Sequence, residues 1–569
     1  MVSRRIYSNL LVLGLALSLL AGCQSSQANI RSEATEFSHY GPRDAAAFKP
    51  TLESVVLGAL AGHDAAPLPG QEGVLNGADL GWAFSHRDTL WIMFGDSWWR
   101  DPFNLVGRPD DALGQISLTD FPNGASVDAY VRAHPAPAGA PAWRAGVPPL
   151  DVANTPARGF APVISEQDGQ PLRSGIGAVP IVAFSNGRDD AAEGVFAVFF
   201  PYEPVACAAG ACPDGYVCDA QVGRLRTGTL TPPCVGGSSS SCVVDEGLCQ
   251  DRTSNRYDAS TNRGRTTSVL MKHAVGVTKP DDPTHFEAQP WATMRFLNAT
   301  GRTVSDFDPA RAHGVGNDYK PALGNQLERS GVFIWGRPHF GGVASEGRDL
   351  RLYLLWVPMP VPDENMQFAW KPRYFTGLDV EGRPQFSDRE LDALALDLDA
   401  ETDGEQPEEL HDFAGHMNMS WVPSLQQFVM FYGGDVPGFS EGLLAWDDPD
   451  KIERDPKGSL WLRFAPQPWG PWTAPRMLLE GGDRSTEATP ALQYGPGGIL
   501  AHNRCNSADC ANYDTPYLLD IGRNNNGLLY APSIIDAWTT GSAESTSLYW
   551  MVSTWNPYQV YLMKTVMRP

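Results

Sequence analysis

Five times along this 569-residue chain, at intervals of about a hundred residues, an apolar run is followed by a short polar turn and a second run rich in aromatics. The five pairs are 78–84 with 90–96, 176–184 with 194–200, 319–323 with 331–336, 416–422 with 428–435, and 533–538 with 548–555. Runs of this length, bounded by Gly, Asn, Asp and Ser, read as β-hairpins. Further strands are expected after most of them, at 350–357 and 558–566 for example. A chain with 57 Gly, 47 Pro and 17 Trp suits many short strands better than long helices, and no heptads or long stretches of helical period interrupt the pattern.

Comparable β units repeated at a fixed interval are the signature of radial β architectures. The expected fold is therefore all-β, a five-bladed β-propeller over 51–569 with a disulfide-rich insertion at 205–255. A pair of β-sandwiches is the alternative the pattern allows. The net charge of −23 argues against a nucleic-acid partner, which would need clustered positive charge. Eleven acidic residues crowd into 388–412, which reads as a solvated loop or short helix.

The N-terminus explains an odd cysteine count. Arg4 and Arg5 precede an apolar run at 10–20 that is too short to span a bilayer as a helix, so 1–22 reads as a signal peptide. It ends in Leu20-Ala21-Gly22-Cys23, which resembles the bacterial lipobox. The resemblance implies lipidation of Cys23, a polar tether over 23–50 and a place in the cell envelope. Because no Asp follows the cysteine, it implies an outer-membrane lipoprotein, periplasmic or surface-exposed. An ordinary signal with a chance cysteine is the rival. Of the nine cysteines, eight remain. Cys207, Cys212, Cys218, Cys234, Cys242 and Cys249 form one cluster, and Cys505 and Cys510 form a close pair. Export permits disulfides, and six cysteines allow 15 connectivities, so the pairing stays open. Zinc is the rival for the cluster, but its spacings contain no C-x2-C pair.

The carboxylates carry the chemistry. With the first turn centred on Arg87-Asp88, Asp79 falls opposite Asp96. Directly opposed strand residues have Cβ atoms about 4.5–5.5 Å apart, and two close carboxyl groups with divided protonation are what glycosidic cleavage requires. Capping of turns or backbone amides is the other role Asp often takes in such places. A fourth turn centred on Leu425-Gln426 sets His416 opposite Asp435. Asp318 and Glu487, each just before an expected inner strand, are further substrate-binding candidates, as are Arg337 and His339 for hydroxyls or a carboxylate, and Trp98, Trp99, Trp555 and Asn556 for stacking on and holding sugar rings. No Gly-x-Ser-x-Gly, His-Glu-x-x-His or Walker loop is present. No cofactor is expected. The stretch from Asp399 begins like a calcium loop but has Leu410 where an EF-hand needs Glu, leaving only a loosely bound calcium as an option.

Ala78-Asp79-Leu80-Gly81 with Phe94-Gly95-Asp96-Ser97-Trp98 resembles the opening of a bacterial propeller family that includes endo-D-arabinanases. The run 548–563 is similar to that family's last blade, and 331–342 to its middle blade. Pro468-Trp469-Gly470-Pro471-Trp472-Thr473-Ala474-Pro475 resembles segments at blade edges of propeller glycosidases. The resemblance spans about 70–566 and implies a glycoside hydrolase acting on D-arabinan, with Asp79 and Asp96 at the catalytic positions. The cysteine-rich and acidic segments depart from the family pattern, so other polysaccharides stay open as substrates. The expected partners are a polysaccharide and, through the lipid anchor alone, a membrane, with the protein itself a monomer. A non-catalytic glycan-binding lipoprotein is the rival function.

Overall fold

The computed structural model describes residues 50–62, 65, 75–99, 110–140, 144–152, 166–167, 170–171, 179–185, 195–200, 216–219, 248–251, 269–273, 286–289, 295–296, 298–304, 331–337, 351–359, 371–380, 382–398, 417–433, 460–479, 528–542, 544–555 and 559–568. They are nearly all β. Five antiparallel sheets of four or five strands follow one another along the chain. Sheet I holds Leu75–His86, Thr89–Trp99, Asp110–Ser117 and Asp151–Val152. Sheet II holds Val179–Ser185, Val195–Phe200, Val269–His273 and Phe286–Gln289. Sheet III holds Asn298–Val304, Gly331–Arg337, Tyr353–Pro358, Arg373–Leu378 and Pro384–Ser387. Sheet IV holds Met417–Val422, Gln427–Gly433, Leu460–Ala465 and Arg476–Leu479. Sheet V holds Leu528–Ile534, Ser545–Trp555 and Gln559–Arg568, with Thr540–Ser542 on its flank. The outer strand of sheet V is Thr51–Ala61, which pairs antiparallel with Gln559–Arg568 and so joins the first described strand to the last.

The first strand of each sheet packs against the first strand of the next, from I to V and back to I. Side-chain contacts fix their relative heights. His86 bonds Ser185, Gly301 abuts Val182, Asn418 bonds Thr300 and the Ile534 amide, and Tyr530 bonds Asp79. Asn418 with Ile534 and Ser420 with Asp536 advance together, as do Thr300 with Asn418 and Arg302 with Asp536, and His86 and Ser185 both end their strands, so the inner strands run in one direction around a closed ring. This is a propeller arrangement. Apolar side chains fill the spaces between neighbouring sheets: Met417, Met419 and Trp421 against Phe333, Trp335 and Trp356, and Val422 and Leu462 against Leu548, Trp550 and Met563. Strands covered on both faces are therefore apolar almost throughout, as in Gly331–Arg337 and Gln427–Gly433.

Several expectations need correction. Gly331–Arg337 pairs with Asn298–Val304 on one edge and Tyr353–Pro358 on the other. A strand has only two edges, so 319–323 is not its hairpin partner in this sheet. In sheet IV, Val422 pairs with Gln427 across a turn at Pro423–Gln426, which moves the register two residues from the one that set His416 opposite Asp435. Gln426 sits in the left-handed region at φ 52° and closes this longer turn. The last inner strand begins at Leu528, and Asp536–Trp538 leaves the sheet as a single turn of 3-10 helix. The acidic segment does contain a short 3-10 helix, Glu390–Asp392, yet Glu390 is buried rather than solvated. Its carboxylate accepts from the Arg295 amide at 2.8 Å, while the Arg295 guanidinium donates to the Glu390 and Ala393 carbonyls.

Among the described residues, one α-helix stands out against the β pattern: α1, Gly124–Ala133, capped by Asn123 in a reciprocal box with Ser126. Gly124 is pressed so close to Tyr549 and the Trp538 carbonyl that a Cβ would lie 2.2 Å from the Tyr549 ring. Of the cysteine-rich insertion, Tyr216–Asp219 and Leu248–Asp251 are described, and they pair with Cys218 directly opposite Cys249. The other six disulfide candidates, and Cys23, lie outside the described residues.

Candidate functional site

Each inner strand pairs its beginning with the end of the second strand of its sheet. Ala78 pairs with Ser97, Val179 with Phe200, Asn298 with Arg337, Met417 with Tyr432, and Leu528 with Trp555. Since the inner strands are parallel around the ring, these positions share one face. That face therefore gathers Asp79, Asp96, Trp98, Trp99, Arg337 and Trp555, which lie on three different sheets. Asp318, His339, His416, Asp435, Glu487 and Asn556 lie outside the described residues. The side chains of Asp96, Trp98, Trp99 and Trp555 are not described; their backbones are placed by the sheets. Arg337 is fully buried at the end of its strand.

The first hairpin turns at Arg87-Asp88 as its sequence predicts, and Phe84 pairs with Trp91. Around Asp79 the ladder departs from simple pairing. Ala78 pairs with Ser97 and Leu80 with Phe94, so the lone Asp79 faces two residues, Gly95 and Asp96. A second, compensating irregularity between Leu80 and Trp82 restores the register. The pair of bulges is built on Leu80 at φ 59° and Gly81 at φ 103°. Asp96 in turn pairs with Asp111 of the third strand.

Asp79 is only 6% exposed. Its Oδ2 accepts a 2.6 Å hydrogen bond from the phenol of Tyr530, on the inner strand of sheet V. Its Oδ1 lies against Gly95, where a Cβ would come within 2.6 Å. The Leu80 carbonyl between the two bulges accepts from Ser553 Oγ at 2.8 Å. Opposite Asp79, the strand bearing Tyr530 is itself irregular between Tyr530 and Ser533, with Ala531 at φ 48°. Two distorted strands from the sheets that close the ring thus aim a carboxylate and a phenol at each other.

A second polar group lies further along the inner strands. Asp536 accepts from Arg302 at 2.5 Å and from the Ser420 hydroxyl, joining sheets III, IV and V. Two residues earlier along the same strands, Asn418 bridges Thr300 and the Ile534 amide. His86 and Ser185 meet at 2.7 Å where the inner strands of sheets I and II end. Among the described residues, no group of three His, Cys, Asp or Glu side chains is arranged to hold a metal ion.

Sequence reasoning missed Tyr530, Ser553, Ser420 and Asp536. Tyr530 lies in Leu528-Leu529-Tyr530-Ala531-Pro532, and a proline at this point is unusual within a paired strand. The bulge around Ala531 accommodates it. Arg302 carried no local signal, because its partner Asp536 arrives from 234 residues away in sequence.

No protein-family model matches the chain, and no curated protein matches its sequence. Among solved structures it is similar to a GH43_1 enzyme from Xanthomonas citri at 10% identity and a TM-score of 0.29, covering 90% of both chains. The same enzyme complexed with xylotriose gives 11% identity and a TM-score of 0.29, covering 91% of this chain and 90% of that one. Trypanosoma rangeli sialidase is similar at 8% identity and a TM-score of 0.29, covering 91% of this chain and 60% of that one. Likenesses this distant leave the functional argument to the chain's own residues.

Proposed function

We propose that this chain is an exported, lipid-anchored glycoside hydrolase on a five-bladed propeller, each of the five ring-packed sheets being one blade. It cleaves a polysaccharide, with D-arabinan the first candidate from the sequence resemblance. Cys23 carries the lipid, and the remaining cysteines form disulfides in the oxidising envelope. The observation that carries the catalytic reading is the bulge that sets Asp79 across from Gly95 and Asp96 on the face where all the inner strands begin.

Two acidic residues on facing strands supply the groups that glycosidic cleavage needs. One protonates the departing glycosidic oxygen, while the other attacks the anomeric carbon or activates the water that does. Trp98, Trp99 and Trp555, at the ends of second strands on the same face, offer rings on which sugars stack. The test is a panel of polysaccharides, arabinans included, scored for new reducing ends. Asp96→Asn is expected to lower turnover at least about a hundredfold while leaving fold and glycan affinity intact. Full activity in that variant refutes the assignment.

The 6% exposure of Asp79 favours a second reading, a glycan-binding surface lipoprotein without catalysis. It expects retention on a polysaccharide matrix with no reducing ends released on prolonged incubation.

A further inference from the structure

Asp79 and Tyr530 are 451 residues apart in sequence and come from the two sheets that close the ring, yet they meet at 2.6 Å with both side chains buried. The backbone around them is distorted in a selective way. Among the described residues, non-glycine residues with positive φ are Leu80, Arg87, Gln426 and Ala531. Arg87 and Gln426 sit in hairpin turns, where a left-handed residue closes the loop. Leu80 and Ala531 sit within strands, and each directly follows one member of the hydrogen-bonded pair. A left-handed leucine is sterically unfavourable and persists only where its surroundings hold it. Here Ser553 Oγ grips the Leu80 carbonyl, and Leu80 itself is packed in the core. Regular pairing would remove the strain at both residues, yet both strands keep it beside the pair.

We propose that Tyr530 is the positioning residue for Asp79. It fixes the carboxylate's orientation and, as a donor to it, favours the ionised form. Asp79 is thereby the base or nucleophile, and Asp96 across the bulge is the proton donor. This assignment rests on the glycosidase reading; the phenol's hold on the carboxylate does not.

The experiment is Tyr530→Phe, which keeps the ring and removes only the hydroxyl. On a polysaccharide that the wild type cleaves, the acidic limb of the kcat/KM pH profile is expected to move upward by about one unit, because a carboxylate deprived of a donor protonates sooner. At the optimum kcat falls while KM holds. Asp79→Asn with Tyr530→Phe is expected to be no slower than Asp79→Asn alone, since the phenol acts through the carboxylate. An unmoved acidic limb, or full additivity of the two losses, overturns the proposal. If the wild type releases no reducing sugar from any polysaccharide, the glycosidase reading fails by itself. The phenol's role is then read in the resting protein by proton-uptake difference titration, where Tyr530→Phe is expected to take up one proton at higher pH than the wild type, and identical curves overturn it. Should Tyr530→Phe not fold, Ser553→Ala loosens the Leu80 bulge without touching the phenol, and the same measurements are expected to move in the same direction; no movement overturns the proposal.

Discussion

Gly95→Ala offers a sharp test of whether the bulge places Asp79 for a purpose. A Cβ built on Gly95 would lie 2.6 Å from Asp79 Oδ1 and 2.5 Å from Leu80 Cδ1. Ordinary van der Waals contact begins near 3.4 Å. The carboxylate oxygen must therefore retreat by about 0.8 Å, and Leu80, held in the left-handed region by the Ser553 bond, has little freedom to absorb the change. Misplacement of a reacting group by about 1 Å costs on the order of a hundredfold in rate. Overpacking at a close contact costs about 1–3 kcal/mol of stability. Gly95→Ala is thus expected to fold, to unfold at lower denaturant, and to lose about two orders of magnitude in kcat on whichever polysaccharide the wild type cleaves. Far-ultraviolet circular dichroism with urea titration reads the first two effects, and reducing-sugar release reads the third. A folded variant with activity within a few-fold of wild type would refute the reasoning, because it would mean that the position of Asp79 does not matter to turnover.

Other predictions follow from the same geometry. Burial, and then the hydrogen bond and charge of Asp128, push the Tyr549 phenol well above its ordinary 10.0. A raised pKa means the folded state keeps the proton that the unfolded chain surrenders, so stability is intact below 10.0 and falls as pH rises beyond it. Denaturant midpoints across the alkaline range should show that fall. Tyr549→Phe should flatten it while losing about 1 kcal/mol at neutral pH, with the bond to the Gly124 carbonyl. Asp536→Ala removes the acceptor shared by Arg302 and Ser420; with its side chain 34% exposed, the loss is expected to be about 1–2 kcal/mol by urea unfolding, and a change near zero would show that water replaces the network. The register that sets Cys218 opposite Cys249 brings their backbones within bridging range, so peptide mapping without reduction is expected to recover that pair linked, leaving three connectivities for the other four cysteines of the cluster.

The sequence carried what neighbouring residues decide between themselves. The hairpins at 75–99 and 417–433 are written in apolar runs and polar turns, and their strands pair across a few residues. The shared face of Asp79, Asp96, Trp98 and Trp99 is likewise legible, because a hairpin's register sets the start of one strand beside the end of the next. Where a turn was misjudged by two residues, as at Pro423–Gln426, the whole opposing register moved with it. The third hairpin was misassigned because its true first strand, Asn298–Val304, carries Thr300 and Arg302, which meet neighbouring sheets through hydrogen bonds rather than through apolar contact.

By itself, then, the chain determined a series of β-hairpins with paired acids near one edge, because strand periodicity and turn chemistry act over a few residues. Only the tertiary structure decided that Thr51–Ala61 completes the last sheet, that Glu390 in an acidic run is buried on Arg295, and that Tyr530 meets Asp79. Those contacts join residues that pattern cannot relate, 95 positions apart at Arg295 and Glu390 and 451 apart at Asp79 and Tyr530, and burial makes each polar group's bond worth more than it is in water.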